Sequence, residues 1–171
     1  MNASVMTSPI DSKKALGYFG LLIGTLPPFA LVLKAFSEIQ PGERLSSSVL
    51  GFLGLLTLAG VLTGLTGYAS RKFVSNGVDK SSRFRLPNRI LMLSLIGAVW
   101  GAASGAVGGL ALFVIGAIFA GIVGAAVGAV ALPLLIGLRS LVGHGDFIEM
   151  RHFLPIAFGI TLTLCALILG L

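Results

Sequence analysis

A chain of 171 residues that is 56% hydrophobic and only 11% charged is unlike a soluble domain, in which about a quarter of the residues are charged. With a mean hydropathy of +1.01, the composition predicts a single integral membrane domain over residues 1–171, with the lipid bilayer as its first partner. The net charge of +6 belongs to residues that flank apolar runs, so we assign it to membrane orientation and anionic headgroups rather than to nucleic acid.

The first predicted span covers residues 15–36 and follows Lys13-Lys14. Its middle contains Pro27-Pro28, and proline has no backbone N–H to donate, so we expect the helix to kink or break there. Such breaks line the binding sites of some transporters, although a neighbouring helix can simply cover them.

The second predicted span covers residues 49–70, where Gly60, Gly64 and Gly67 mark a face that a neighbouring helix can approach closely. A basic cytoplasmic loop is predicted over residues 71–89, with Asn76-Gly77 as a turn. This loop holds half of the lysines and arginines of the chain.

The longest apolar segment, residues 90–138, contains forty-nine residues without a charged side chain. One helix of that length would measure about 74 Å, against a hydrocarbon core of about 30 Å, so the segment must fold back within the membrane. We predict a hairpin with arms over 90–109 and 111–138. Its bend is placed at Gly108-Gly109, because paired glycines leave helical geometry at little cost.

Glycine recurs at about every fourth position in both arms, which places the glycines on one face of each helix. Lipid provides no hydrophobic drive between helices, so small residues that let two backbones approach are the expected contact surfaces. These faces can meet each other, another transmembrane helix or a second copy of the chain. The residues assigned to helix packing are Gly97, Gly101, Gly105, Gly109, Gly116, Gly121, Gly124 and Gly128.

A last span over residues 153–171 follows a polar segment and contains Cys165, the only cysteine. Five spans with a cytoplasmic amino terminus leave only Lys34 and Arg44 of the twelve lysines and arginines outside, as the positive-inside rule requires. The prediction is an all-α polytopic transmembrane bundle in a bacterial inner (cytoplasmic) membrane, with its carboxyl terminus outside. An alternative of four spans and a re-entrant segment puts Arg139 and Arg151 outside and fits the charges less well.

The five spans contain no Asp, Glu or His, although coupled carriers usually keep such a group at mid-membrane. Residues 143–146, Gly-His-Gly-Asp, resemble the Gly-x-Gly-Asp signature of intramembrane aspartyl proteases, whose mechanism implies a second aspartate. The other aspartates, Asp11 and Asp79, lie outside the spans, so we interpret the motif as a turn. Ser104 is assigned to packing because both histidines lie at the membrane edge, out of its reach.

His152, at the head of the last span, is the candidate ligand for a haem or chlorophyll-type pigment. No span supplies a histidine, so a bis-histidine haem inside the bilayer is excluded. Trp100 is expected to fill a gap between helices. We predict no metal site and no catalytic residue. The favoured interpretation is a non-catalytic accessory or structural subunit of a larger membrane complex. The alternative is a small oligomeric channel, or a transporter for a neutral or lipidic solute, lined by the broken first helix.

Overall fold

A computed structural model describes residues 9–37, 47–142 and 147–170, and most of them are helical. The helices are α1 (Ser12–Ser37), α2 (Ser47–Ala69), α3 (Arg71–Ser81), α4 (Leu86–Gly109), α5 (Phe113–Val142) and α6 (Met150–Leu169), with a 3-10 turn, Leu110–Leu112, between α4 and α5. Arg44 and the motif at 143–146 lie outside the described residues.

Three helical runs in the described part of the chain are long and apolar enough to cross a membrane: Lys13–Ser37, Val49–Ala69 and Leu86–Leu138. The last run, of 53 residues, folds back at the 3-10 turn and so becomes two antiparallel arms. Helix α6 adds 20 residues, or about 30 Å of helix. The prediction of an all-α transmembrane bundle of about five spans with a glycine-rich central hairpin is confirmed.

Two short strands join the amino-terminal segment to the segment before α6. β1 (Pro9–Asp11) pairs antiparallel with β2 (Phe147–Glu149), with Ile10 opposite Ile148. The all-α prediction did not include this pair. Because paired strands lie at the same end of the bundle, the four long helices between them must cross an even number of times. The side of the membrane on which Arg139 and Arg151 lie stays a prediction.

The chain reverses later than predicted. Gly108 and Gly109 are still helical and buried, and the turn runs from Leu110 to Phe113. The two glycines provide space rather than a bend. A β-carbon on Gly109 would lie 2.7 Å from Cα of Ala117 in the opposite arm, and one on Gly108 would lie 2.6 Å from the Ala59 carbonyl oxygen in α2.

The predicted turn at Asn76-Gly77 and a break at Pro27-Pro28 are also absent, while a kink at the two prolines stays a prediction. Helix α1 runs without a break through Pro27-Pro28, where Pro28 packs on α2: its Cβ would lie 3.0 Å from a β-carbon on Gly60. Asn76-Gly77, predicted as a turn in a loop, lies inside α3. Helix α3 is amphipathic and buries Val74 and Val78 in the core, so apolar burial explains why the basic segment is helical rather than a loop.

The large buried side chains gather in one half of the bundle. We define the far half as residues 24–37, 47–64, 101–124 and 161–170, and the basic end as the remaining described residues. The main core cluster consists of Ala15, Leu16, Phe19, Val74, Val78, Leu93, Trp100, Ala131, Leu132, Leu135, Ile136, Phe153 and Ala157. All of them belong to the basic end, so the far half is held together in another way.

Candidate functional site

The glycines of α4 and α5 face one another in a regular antiparallel series, which we call the glycine ladder. A β-carbon placed on Gly97, Gly101, Gly105 or Gly109 of α4 would collide with a backbone carbonyl oxygen of α5. The spacing of four residues in each arm keeps the rungs in step along both helices. The rungs are Gly97 with Gly128, Gly101 with Gly124, Gly105 with Ala120, and Gly109 with Gly116.

Seven of the eight predicted packing glycines form these rungs, and Gly121 lies beside them. A β-carbon on Gly121 would sit 3.5 Å from the Ala102 carbonyl oxygen, an ordinary contact distance. The structure therefore places both glycine faces against each other within the hairpin. They are not open surfaces for a further helix.

A second set of close contacts joins α1 to α2. A β-carbon on Gly67 would lie 2.8 Å from the Gly20 carbonyl oxygen, and one on Gly24 would lie 2.7 Å from Cα of Gly64. We did not predict the α1 side of this contact. The spacing of Gly17, Gly20 and Gly24, three and then four residues apart, places them on one helical face and was the available signal.

Trp100 connects α4 to both α1 and α2. Its indole is 4% exposed, and its Nε1 donates to Ser70 Oγ at 2.8 Å and to the Gly67 carbonyl oxygen at 3.3 Å. The ring lies 6.4 Å from that of Phe19, between centroids, and would collide with a β-carbon on Gly20. A tryptophan inside a membrane needs a partner for its N–H, and the end of α2 and the residue that follows it, Ser70, supply two acceptors.

The buried hydroxyls bond to their own helices. Ser104 Oγ donates to the Trp100 carbonyl oxygen at 2.9 Å, Ser81 Oγ to the Val78 carbonyl at 2.6 Å, and Thr161 Oγ1 to the Ala157 carbonyl at 2.7 Å. Such bonds satisfy the hydroxyl without recruiting a base. Ser104 is buried, and its described hydrogen bonds go to backbone carbonyl oxygens of α4.

Metal and pigment ligation concern mostly residues beyond the described part. His144 and Asp146 lie outside it, and His152 is placed only by its backbone, in the first turn of α6. A haem or pigment at His152 stays a prediction. Among the residues that are described, no three His, Cys, Asp or Glu side chains come together as a metal-binding group.

The fold and the contacts define an integral membrane protein whose helices are joined largely by glycine. Comparisons with protein-family models, with curated proteins and with solved structures find no match to this chain.

Proposed function

We propose that the protein is a non-catalytic accessory or structural subunit of a larger membrane complex, with other transmembrane helices as its partners. The observation that carries this proposal is the open apolar surface of the far half. Phe113, Ile115 and Phe119 on α5 are 79%, 70% and 67% exposed. A bilayer alone can cover such side chains. What favours a partner helix over lipid is the presence of small residues among them.

Helix α2 supplies those small residues. Gly51 and Gly54 have nothing within 4 Å of a β-carbon built on them, and Leu50 and Phe52 beside them are exposed. On a membrane helix, open glycines are where a second backbone can come close, and close packing is the main source of affinity between helices in lipid. This stretch of α2 is our candidate contact surface.

The glycine ladder supports the same role indirectly. It fixes α4 against α5 without large side chains between them, so the bulky residues of α5 point outward. A hairpin locked in this way presents a pre-formed surface and loses little conformational freedom on binding. The alternative is a channel or transporter whose path is lined by a broken first helix. That alternative lacks its proposed lining, because α1 is continuous.

Purification from native membranes in mild detergent tests the proposal. We expect the protein to co-migrate with larger partners, and Gly54→Leu to release it. Gly137→Leu is the matched control, because a β-carbon there also meets nothing within 4 Å but lies at the basic end. A wild-type protein that runs only as a monomer would sink the subunit role, and one that runs only as a homo-oligomer would favour a channel.

Orientation is part of the proposal: the basic end lies in the cytoplasm of a bacterium. Ser82 at the basic end and Ser47 in the far half are both exposed. In a Cys165→Ser background, Ser47→Cys should react with an impermeant thiol reagent in intact cells, and Ser82→Cys should not. The opposite pattern would invert the orientation.

A further inference from the structure

Two tyrosines and an arginine gather where α1, α2 and α3 meet at the basic end, and a lysine lies one helical turn away on α1. The ring centroids of Tyr18 on α1 and Tyr68 on α2 are 6.0 Å apart. The guanidinium of Arg71 lies 4.3 Å from the centroid of the Tyr68 ring and donates from Nη1 to the Tyr68 carbonyl oxygen at 3.3 Å. Lys14 precedes Tyr18 by one helical turn and so shares its face of α1. We call these four residues the headgroup cluster.

A glycine makes the cluster possible. A β-carbon on Gly17 would lie 2.9 Å from Cδ2 of Tyr68 and 3.0 Å from Cδ of Arg71. The bare backbone of α1 therefore forms a floor on which both side chains rest. Stacking on Tyr68 holds the planar guanidinium in one orientation, which leaves its remaining N–H donors for a ligand.

The two cations of the cluster form no ion pair with Asp79, the one carboxylate whose side chain the structure describes. Lys14 and Tyr18 are exposed, and Arg71 and Tyr68 are half-buried. An oriented guanidinium and a nearby ammonium at a membrane surface suit a phosphate group, which accepts from both.

We propose that the headgroup cluster binds the phosphate of an anionic phospholipid. The tyrosines place it at headgroup depth, where aromatic residues concentrate in membrane proteins. Val61 and Leu65 lie on the same face of α2 as Tyr68, at helical spacing, and are 39% and 54% exposed. They form an apolar track leading away from the cluster into the bilayer. A soluble phosphate would use the cations alone, whereas a phospholipid would also lay an acyl chain along this track.

The test titrates the full-length protein in neutral detergent with phosphatidylglycerol, phosphatidylcholine or inorganic phosphate, and follows its thermal stability. We expect saturable stabilisation by phosphatidylglycerol and little by the other two, and native mass spectrometry should count one retained lipid. Removing one charge should raise the half-saturating concentration about five-fold, and removing two about 25-fold. The variants are Lys14→Gln and Lys14→Gln with Arg71→Gln.

The control removes two other exposed cations, Lys72→Gln with Arg83→Gln, and should shift the half-saturating concentration less than two-fold. An equal shift in control and cluster variants would mean diffuse surface attraction and would overturn the site. Equal stabilisation by inorganic phosphate would overturn the lipid as ligand. Lys14→Gln alone changes an exposed side chain, so an unchanged titration in that variant would also count against the proposal and not against folding.

Discussion

The basic end of the bundle is joined by large side chains in addition to glycine contacts such as Gly20 with Gly67, whereas the far half is joined largely by backbone. At the basic end Phe19 and Leu132 are completely buried, and Trp100 bridges three helices. In the far half the rungs Gly105 with Ala120 and Gly109 with Gly116 bring carbonyl oxygens against bare Cα atoms. Both halves must associate their helices within lipid. The basic end does so with large side chains that fill the space between helices, and the far half does so with small residues that let the backbones come close.

The difference has a consequence for the outer surface. Where a helix contacts its neighbour through glycine, no large residue lies in the contact, so in the far half the large residues of α5 face outward. That is why Phe119 and Ile122 are 67% and 64% exposed. The basic end contains the packed core, and most large side chains of the far half are exposed.

The largest loss of stability should come from removing a large buried side chain at the basic end. Trp100→Ala removes the ring between α1, α2 and α4, and large-to-small changes of a buried Trp cost about 3–5 kcal/mol. We expect a matching loss in the free energy of unfolding, measured in detergent with a denaturant series. Trp100→Phe keeps much of the volume and should lose clearly less. If both variants matched wild type, Trp100 would not join the two helix pairs.

A smaller loss should follow from a side chain in the ladder. Leucine at Gly105 or Gly124 meets backbone atoms that cannot rotate away, and overpacking typically costs about 1–3 kcal/mol per site. The arms must then separate, which spin labels on Val99→Cys and Val130→Cys, both exposed, would report as a longer distance in a Cys165→Ser background. Val107→Leu on the outer face is the control. An unchanged distance in the glycine variants would remove the ladder as the device that holds the far half.

In the hairpin, the sequence predicted the small faces of the two arms but not the position of the bend. The four-residue glycine period alone predicted which faces of the hairpin are small, because helical geometry maps spacing directly onto a face. It did not predict the bend, since a paired glycine can serve either flexibility or close approach. Gly108 and Gly109 serve close approach, and what decides this is the position of α2 and α5, which local sequence does not contain.

The same limit explains the prolines and the tryptophan. Proline weakens a helix locally, but a neighbouring helix can cover the gap, as Gly60 allows α2 to do at Pro28. The hydrogen bond from Trp100 to Ser70 joins residues thirty positions apart. The sequence predicted only that Trp100 fills a gap between helices, and the fold identified the acceptors of its N–H.

A gain of stability should follow from a change at the hairpin tip. Phe113 has φ 65° and ψ −179°, a conformation that costs a non-glycine residue about 1–3 kcal/mol. Its side chain is 79% exposed, so little packing is lost in Phe113→Gly. After subtracting the greater freedom of glycine in the unfolded chain, about 0.5–1 kcal/mol, we expect a net gain of about 1 kcal/mol. Leu112→Gly, in a right-handed turn, should lose stability, and a loss in both variants would mean that the tip is unstrained.

The smallest effect should come from the acceptor of the Trp100 N–H. Ser70→Ala removes the hydroxyl 2.8 Å from Nε1 but leaves the Gly67 carbonyl oxygen at 3.3 Å as a second acceptor. A net hydrogen bond is worth about 0.5–1.5 kcal/mol, and partial replacement should keep the loss at the lower end of that range.

Fluorescence gives this last change a direct readout, because Trp100 is the only tryptophan in the chain. Loss of a polar partner at the indole N–H should move the emission of Ser70→Ala toward shorter wavelength. Ser82→Ala removes an exposed hydroxyl bonded only within its own turn, to the Asp79 carbonyl oxygen, and should leave the spectrum unchanged. A spectrum that is identical in all three proteins would show that Ser70 does not bind the indole, and that the Gly67 carbonyl oxygen is its acceptor.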